Sequence, residues 1–101
     1  MIEFQFFNGC PNAHKTLQHL REVLSELQHR DFALKITEVP DPESAQRMNF
    51  QGSPTILLNG VDIYTGEKPS SYSYTCRIYE FDNEHTGVMP NEFIKAKLEG
   101  N

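Results

Sequence analysis

The sequence predicts an α/β fold of order β-α-β-α-β-β-α, a three-layer sandwich with a mixed four-stranded sheet and an insert before the last helix. Three observations predict it. An alternating apolar run at residues 2–7 leads straight into an amphipathic helix pattern. A second strand pattern and a capped short helix follow between residues 32 and 50. Asn59-Gly60 then joins two apolar runs with the chemistry of a type I′ hairpin. Strand, helix and strand make one right-handed crossover with parallel strands, and the hairpin adds an antiparallel pair.

Residues 2–7 place Ile2, Phe4 and Phe6 on one face and Glu3 and Gln5 on the other, as in a half-buried strand. Asn8-Gly9 supplies turn chemistry. From Ala13 to His29 the apolar residues Leu17, Leu20, Val23, Leu24 and Leu27 form one helical stripe. Pro11 suits the helix start, where its missing N–H has no partner to lose. His14, His19 and His29 fall off that stripe and are expected in solvent. Phe32 to Val39 alternates as a second strand. Asp41-Pro42-Glu43 opens a short helix over about 42–50, with a capping carboxylate and proline at its first position. Gln51-Gly52-Ser53-Pro54 breaks it. Thr55 to Leu58 is a buried strand and Val61 to Tyr64 its return.

Residues 65–89 form the insert. Tyr72 to Phe81 is expected as a further short strand or an extended lid, and Asp82 to Gly87 as a turn cluster. Tyr64, Tyr72, Tyr74 and Tyr79 either line a pocket or cover a sheet edge. Pro90-Asn91-Glu92 opens the last helix, which ends at Gly100.

A chain of 101 residues is one domain with a single modest core. Hydrophobic content of 38% and charged content of 23% fit a folded protein rather than a disordered one. A net charge of −5 and the absence of a basic block exclude a phosphate-backbone partner, so no nucleic acid is expected. No apolar run approaches the roughly 20 residues of a membrane span. The N-terminus lacks the basic and apolar regions of a signal peptide, which makes the cytoplasm the expected compartment. Two cysteines, Cys10 and Cys76, are too few for a disulfide scaffold, and a pair of thiols there is expected to be reactive or metal-binding.

Cys10 carries the strongest chemical lead. It stands where the strand's turn ends and the helix begins, among backbone N–H groups without intrahelical partners. Those donors and the helix dipole favour a thiolate, whose ordinary pKa of about 8.5 falls in such settings. Asn12 could donate to that thiolate or simply cap the helix. Arg77, beside Cys76, could stabilise a thiolate or clamp an anion. A buried structural cysteine is the plainer alternative for Cys10.

The order of elements, with Cys10 after the first strand and Gly52-Ser53-Pro54-Thr55 before the third, resembles the thioredoxin-like superfamily in its minimal, glutaredoxin-sized form. The resemblance covers residues 2–64 and the closing helix. It implies that the Ser53–Pro54 peptide is cis, that Pro54 lies beside a reactive Cys10, and that the Ser53 backbone is available to an extended thiol substrate. Pro11, Asn12, Ser53, Pro54 and Arg77 are then the substrate-binding candidates. The family's Cys-x-x-Cys motif is broken here, because Ala13 stands where the second thiol belongs. The segment Cys76-Arg77-Ile78-Tyr79 also resembles a group of bacterial thioredoxin-like proteins sometimes labelled as related to alkylmercury lyases.

The expected function is thiol–disulfide oxidoreductase chemistry, with Cys10 as nucleophile and Cys76 or an external thiol resolving the mixed disulfide. Its partner would be a disulfide-containing protein or a low-molecular-weight thiol, with no cofactor. One alternative is soft-metal or organomercurial binding by Cys10 and Cys76. The other is a non-catalytic adaptor that holds a protein partner in the same groove.

Overall fold

A computed structural model describes residues 1–100, the His29 side chain excepted. Four strands form one mixed sheet: β1 (Ile2–Phe6), β2 (Leu34–Glu38), β3 (Thr55–Leu58) and β4 (Val61–Asp62), in the order β2-β1-β3-β4. β1 runs parallel to β2, with Ile2 opposite Leu34 and Phe6 opposite Glu38. It runs antiparallel to β3, with Ile2 opposite Leu58 and Phe4 opposite Ile56.

Because side chains alternate along a strand, that register puts Ile2, Phe4, Ile56 and Leu58 on one face. All four are buried there. The leucine stripe of α1 (Pro11–Glu26) meets them with Leu20 and Val23, and α3 (Asn91–Glu99) adds Ile94 and Leu98. A second, smaller cluster forms around α2 (Pro42–Met48), where Val39, Ala45 and Phe50 are fully buried against Phe7, Met48 and Tyr74.

Several boundaries shift for local reasons. α1 begins at Pro11, with Cys10 as its N-cap, as proline at a helix start predicts. It stops at Glu26, and a 3₁₀ turn over Gln28–Arg30 follows. Asp31 then takes a left-handed conformation (φ 53°), which delays β2 to Leu34 rather than Phe32. α2 is capped by the Asp41 carboxylate, which accepts from Ser44 N–H at 2.8 Å. It ends before Phe50 because Asn49 turns left-handed (φ 54°). β4 is only two residues long, because the Asp62 carbonyl accepts from Gly66 N–H in a turn that ends the strand.

The insert corrects one expectation. Residues 84–86 are a strand, not part of a turn cluster. β5 (Tyr79–Phe81) pairs antiparallel with β6 (Glu84–Thr86) in a separate two-stranded hairpin. Its turn is confined to Asp82 and Asn83, both at positive φ, which residues with short polar side chains tolerate. Alternation sends Tyr79 and Phe81 inward. Tyr79 meets Tyr64 at 4.7 Å between ring centroids, and Phe81 meets Phe93 of α3 at 4.8 Å. Tyr64 and Tyr79 are therefore anchors rather than pocket walls. Tyr74 packs on Phe7 and Phe50, while Tyr72 is exposed. Among the described residues, no helix is long and apolar enough to cross a membrane.

Candidate functional site

β1 delivers the chain to a turn in which Cys10 N–H donates to the Phe7 carbonyl at 3.4 Å. Gly9 makes this turn possible, since its φ of +96° is one that L side chains rarely adopt. Cys10 is left extended (φ −82°, ψ 112°) at the N-cap of α1, followed by Pro11. No acidic residue occupies the first turn, so nothing opposes the positive end of the helix dipole.

The second thiol arrives from the insert. Residues 73–77 run as a strap over the Gly52-Ser53 backbone. Ser73 N–H donates to the Phe50 carbonyl at 2.7 Å, Ser53 N–H to the Thr75 carbonyl at 2.9 Å, and Arg77 N–H to the Ser53 carbonyl at 2.7 Å. Ser53 and Cys76 thereby form a parallel bridge. Gly52 permits the approach: at φ +108°, a Cβ there would stand 3.1 Å from the Thr75 carbonyl oxygen and 3.3 Å from Arg77 Cβ. The result is a contact of 3.1 Å between the sulfurs of Cys76 and Cys10, which are 66 residues apart in the chain. Both are free thiols; Cys10 is buried and Cys76 exposed.

This arrangement corrects the expected groove. The Ser53 N–H and carbonyl are not available to an extended substrate, because the chain's own strap already pairs with both. Ser53 and Pro54 are buried beneath it, and the Ser53–Pro54 peptide is cis. Pro11 is exposed at the helix start. Asn12 is half-buried, with its side chain so close to the Gly87 backbone that a Cβ on residue 87 would overlap it. Ala13 is buried and lies where no thiol is present.

Arg77 turns to the sheet rather than to the sulfurs. Its guanidinium lies 2.7 Å from the Asp62 carboxylate, and the two side chains are only 11% and 1% exposed. It also donates to the Thr55 hydroxyl at 3.2 Å and stacks over the rings of Tyr64 and Tyr79. The other Asp62 oxygen accepts from Tyr64 N–H at 2.9 Å. The Tyr79 hydroxyl donates to the Pro54 carbonyl, and burial pushes that phenol's pKa well up. Arg77 thus anchors the strap; anion clamping is not what its partners provide.

The two thiols are electrostatically unequal. Burial raises the pKa of Cys10, but hydrogen bonds from Ser53, the Cys76 thiol and the N–H groups of Asn12 and Ala13 outweigh it and hold it below its ordinary value. The Ser53 hydroxyl oxygen accepts from Phe7 N–H at 3.2 Å, which leaves its proton free for the sulfur. When protonated, Cys10 can instead donate to the Ser53 carbonyl at 3.5 Å. Cys76 is shifted the other way, because its S–H donates to Cys10, with burial and the neighbouring charge adding to the effect. Of the two thiols, Cys10 is therefore the more easily ionised and Cys76 the one that keeps its proton longer.

A cleft of about 290 Å³ borders Cys10 on the other side, lined mainly by Phe4, Phe6, Phe7, Ala13, Leu17 and Ile36. His14 stands at it and is exposed. His19 is half-buried rather than free in solvent: its Nδ1 lies 2.8 Å from the Met89 carbonyl, so that nitrogen carries the proton. The side chain of His29 lies outside the described part of the molecule. No cluster of three or more metal-ligating side chains occurs among the described residues.

The Ser53 hydroxyl and Asp62 are not among the residues expected from the sequence, and Tyr64 and Tyr79, expected to line a pocket or cover a sheet edge, instead anchor the strap. The hydroxyl could have been found from its place next to Pro54. Asp62 shows a weaker signal, as a carboxylate inside an apolar return strand.

No curated protein and no solved structure matches the chain. The family described as Domain of unknown function (DUF2703) matches residues 1–97, a span that includes both cysteines, the strap and most of α3. The chain belongs to the DUF2703 family.

Proposed function

We propose that this chain is a thioredoxin-like thiol–disulfide exchange protein whose redox pair is Cys10 and Cys76. The observation that carries the reading is the 3.1 Å separation of the two sulfurs across 66 residues of chain. Thiols in that position can be joined by a bond of about 2.05 Å with little movement. The unequal ionisation supports it further, since the Cys10 pKa is held below and the Cys76 pKa above the ordinary thiol value. The thioredoxin-like arrangement is supported by the element order and the sheet order β2-β1-β3-β4.

The same spacing argues against metal binding as the main role. Sulfurs each about 2.3 Å from a tetrahedral ion would stand roughly 3.8 Å apart, so the pair would have to open to admit one. A non-catalytic adaptor would have no use for a polarised thiol pair. The test is mass spectrometry after mild oxidation. The wild type should lose two hydrogens and yield one Cys10–Cys76 cross-linked peptide, while Cys10→Ser and Cys76→Ser form none. Oxidation that leaves both thiols alkylatable would overturn the reading.

A further inference from the structure

We infer that Cys76 is the contact cysteine, the sulfur at which an external low-molecular-weight thiol or its disulfide exchanges with this protein, and that Cys10 is its internal partner. The inference rests on the dithiol reading and reverses the roles expected from the sequence. Access is the first argument. Cys76 is exposed, whereas Cys10 is 7% exposed. The Cys10 sulfur is enclosed by Ser53, by the Cys76 sulfur and by the first backbone N–H groups of α1. The cleft on its other side is mainly apolar, and an anionic thiolate would be desolvated on entering it.

Leaving-group chemistry is the second argument. Exchange is fastest when the attacked sulfur is accessible and the departing sulfur is the better-stabilised thiolate. Attack at Cys76 releases Cys10 into a ready set of donors; attack at Cys10 would release Cys76, which has none comparable. Geometry and charge therefore select the same sulfur.

The step balances with a thiol as reductant. The external thiolate attacks Sγ of Cys76, a new S–S bond forms, the Cys10–Cys76 bond breaks, and its electron pair leaves on Cys10. A second external thiolate attacks the external sulfur of the mixed disulfide. It departs as the symmetrical disulfide, and the Cys76 thiolate takes a proton from water. Two external thiols are oxidised, and the protein disulfide is reduced by two electrons. In reverse, Cys76 passes its S–H proton across the 3.1 Å contact to Cys10 and attacks an external disulfide as a thiolate, expelling one half as a thiolate. That thiolate takes the proton from Cys10, whose sulfur then attacks Sγ of Cys76 and releases the bound half.

Glutathione is the probe. The oxidised wild type is treated with reduced glutathione, acid-quenched and mapped for the adduct. The adduct is expected on Cys76, with Cys10 alkylatable. In parallel, Cys10→Ser and Cys76→Ser are treated with oxidised glutathione at neutral pH. The Cys10→Ser protein, with Cys76 as its only thiol, should form its adduct at least tenfold faster. In urea the two variants should react alike, which shows that access in the fold makes the difference. An adduct mapped to Cys10, or a Cys76→Ser protein that reacts as fast as Cys10→Ser, would overturn the assignment. If the mapping traps no intermediate, the variant rates decide. Failure of the Cys10–Cys76 bond to form at all would instead overturn the dithiol reading on which the inference rests.

Discussion

At the scale of the residue, the pair is governed by who donates to whom. Cys10 is buried, which alone would raise its pKa, yet directed donors lower it. Ser53 is the donor that a substitution can remove while leaving the backbone N–H groups and Cys76 in place. Ser53→Ala also strips the acceptor from Phe7 N–H, a pH-independent loss of about 1–3 kcal/mol if that group stays dry. A pH-dependent part adds to it. Cys10 has a depressed folded-state pKa, so its stabilisation is present above the unfolded thiol value of about 8.5 and is lost as pH falls through the folded value. The stability gap between reduced wild type and Ser53→Ala should therefore widen as pH rises through that window and then level off. Urea titrations at several pH values check the gap. Ultraviolet thiolate absorbance should show the Cys10 titration displaced upward in the variant. A weaker thiolate also makes the disulfide harder to reduce, so the variant should be more oxidised in a glutathione buffer.

At the scale of the element, the strap is held by something other than itself. Residues 73–77 make three main-chain bonds to Phe50 and Ser53, but they contain no regular strand. The Arg77–Asp62 pair and the Tyr64, Tyr79, Phe81 and Phe93 rings fix the strap's downstream end to the sheet and α3. Arg77→Ala leaves Asp62 buried without its counter-charge, a loss of about 3–5 kcal/mol. Because the residue next to Cys76 is released, oxidation to the Cys10–Cys76 bond should also slow. Far-UV dichroism in urea and the rate of cross-link formation measure the two effects. Unchanged oxidation in a destabilised Arg77→Ala protein would show that the main-chain bonds alone place Cys76.

At the scale of the whole molecule, the pair ties the first helix to the insert across 66 residues. In the chain-entropy account, closing a loop of that length restricts the unfolded state by about 4 kcal/mol. Oxidation of the wild type should therefore raise stability by up to about that amount, read as a higher urea midpoint. The same oxidant should leave both single serine variants unmoved. The stabilised Cys10 thiolate works against this gain by favouring the reduced protein, so the pair is held between two opposing terms.

Much of the fold was legible along the chain, because its signals are short-ranged. The leucine spacing of α1, the cap at Asp41 and the Asn59-Gly60 turn each act within a few residues. The misreadings fell where apolar pattern and tertiary contact part company. Residues 84–86 look like turn chemistry, yet pair with β5 because Tyr79 and Phe81 are buried behind them. Ser53 reads as open backbone, yet is already paired, because the strap reaches it from more than twenty residues downstream.

What the sequence by itself determined is the position of Cys10: a turn with Gly9, an N-cap, and a helix that begins at Pro11 with no opposing charge. Only the tertiary structure decided its partner. Where Cys76 lies depends on Gly52 admitting the strap, on Arg77 meeting Asp62, and on an aromatic cluster drawn from Tyr64, β5 and α3. Periodicity describes which face a residue takes within its own element. Contact between sulfurs 66 residues apart is set by the packing of several elements together, which no local pattern encodes.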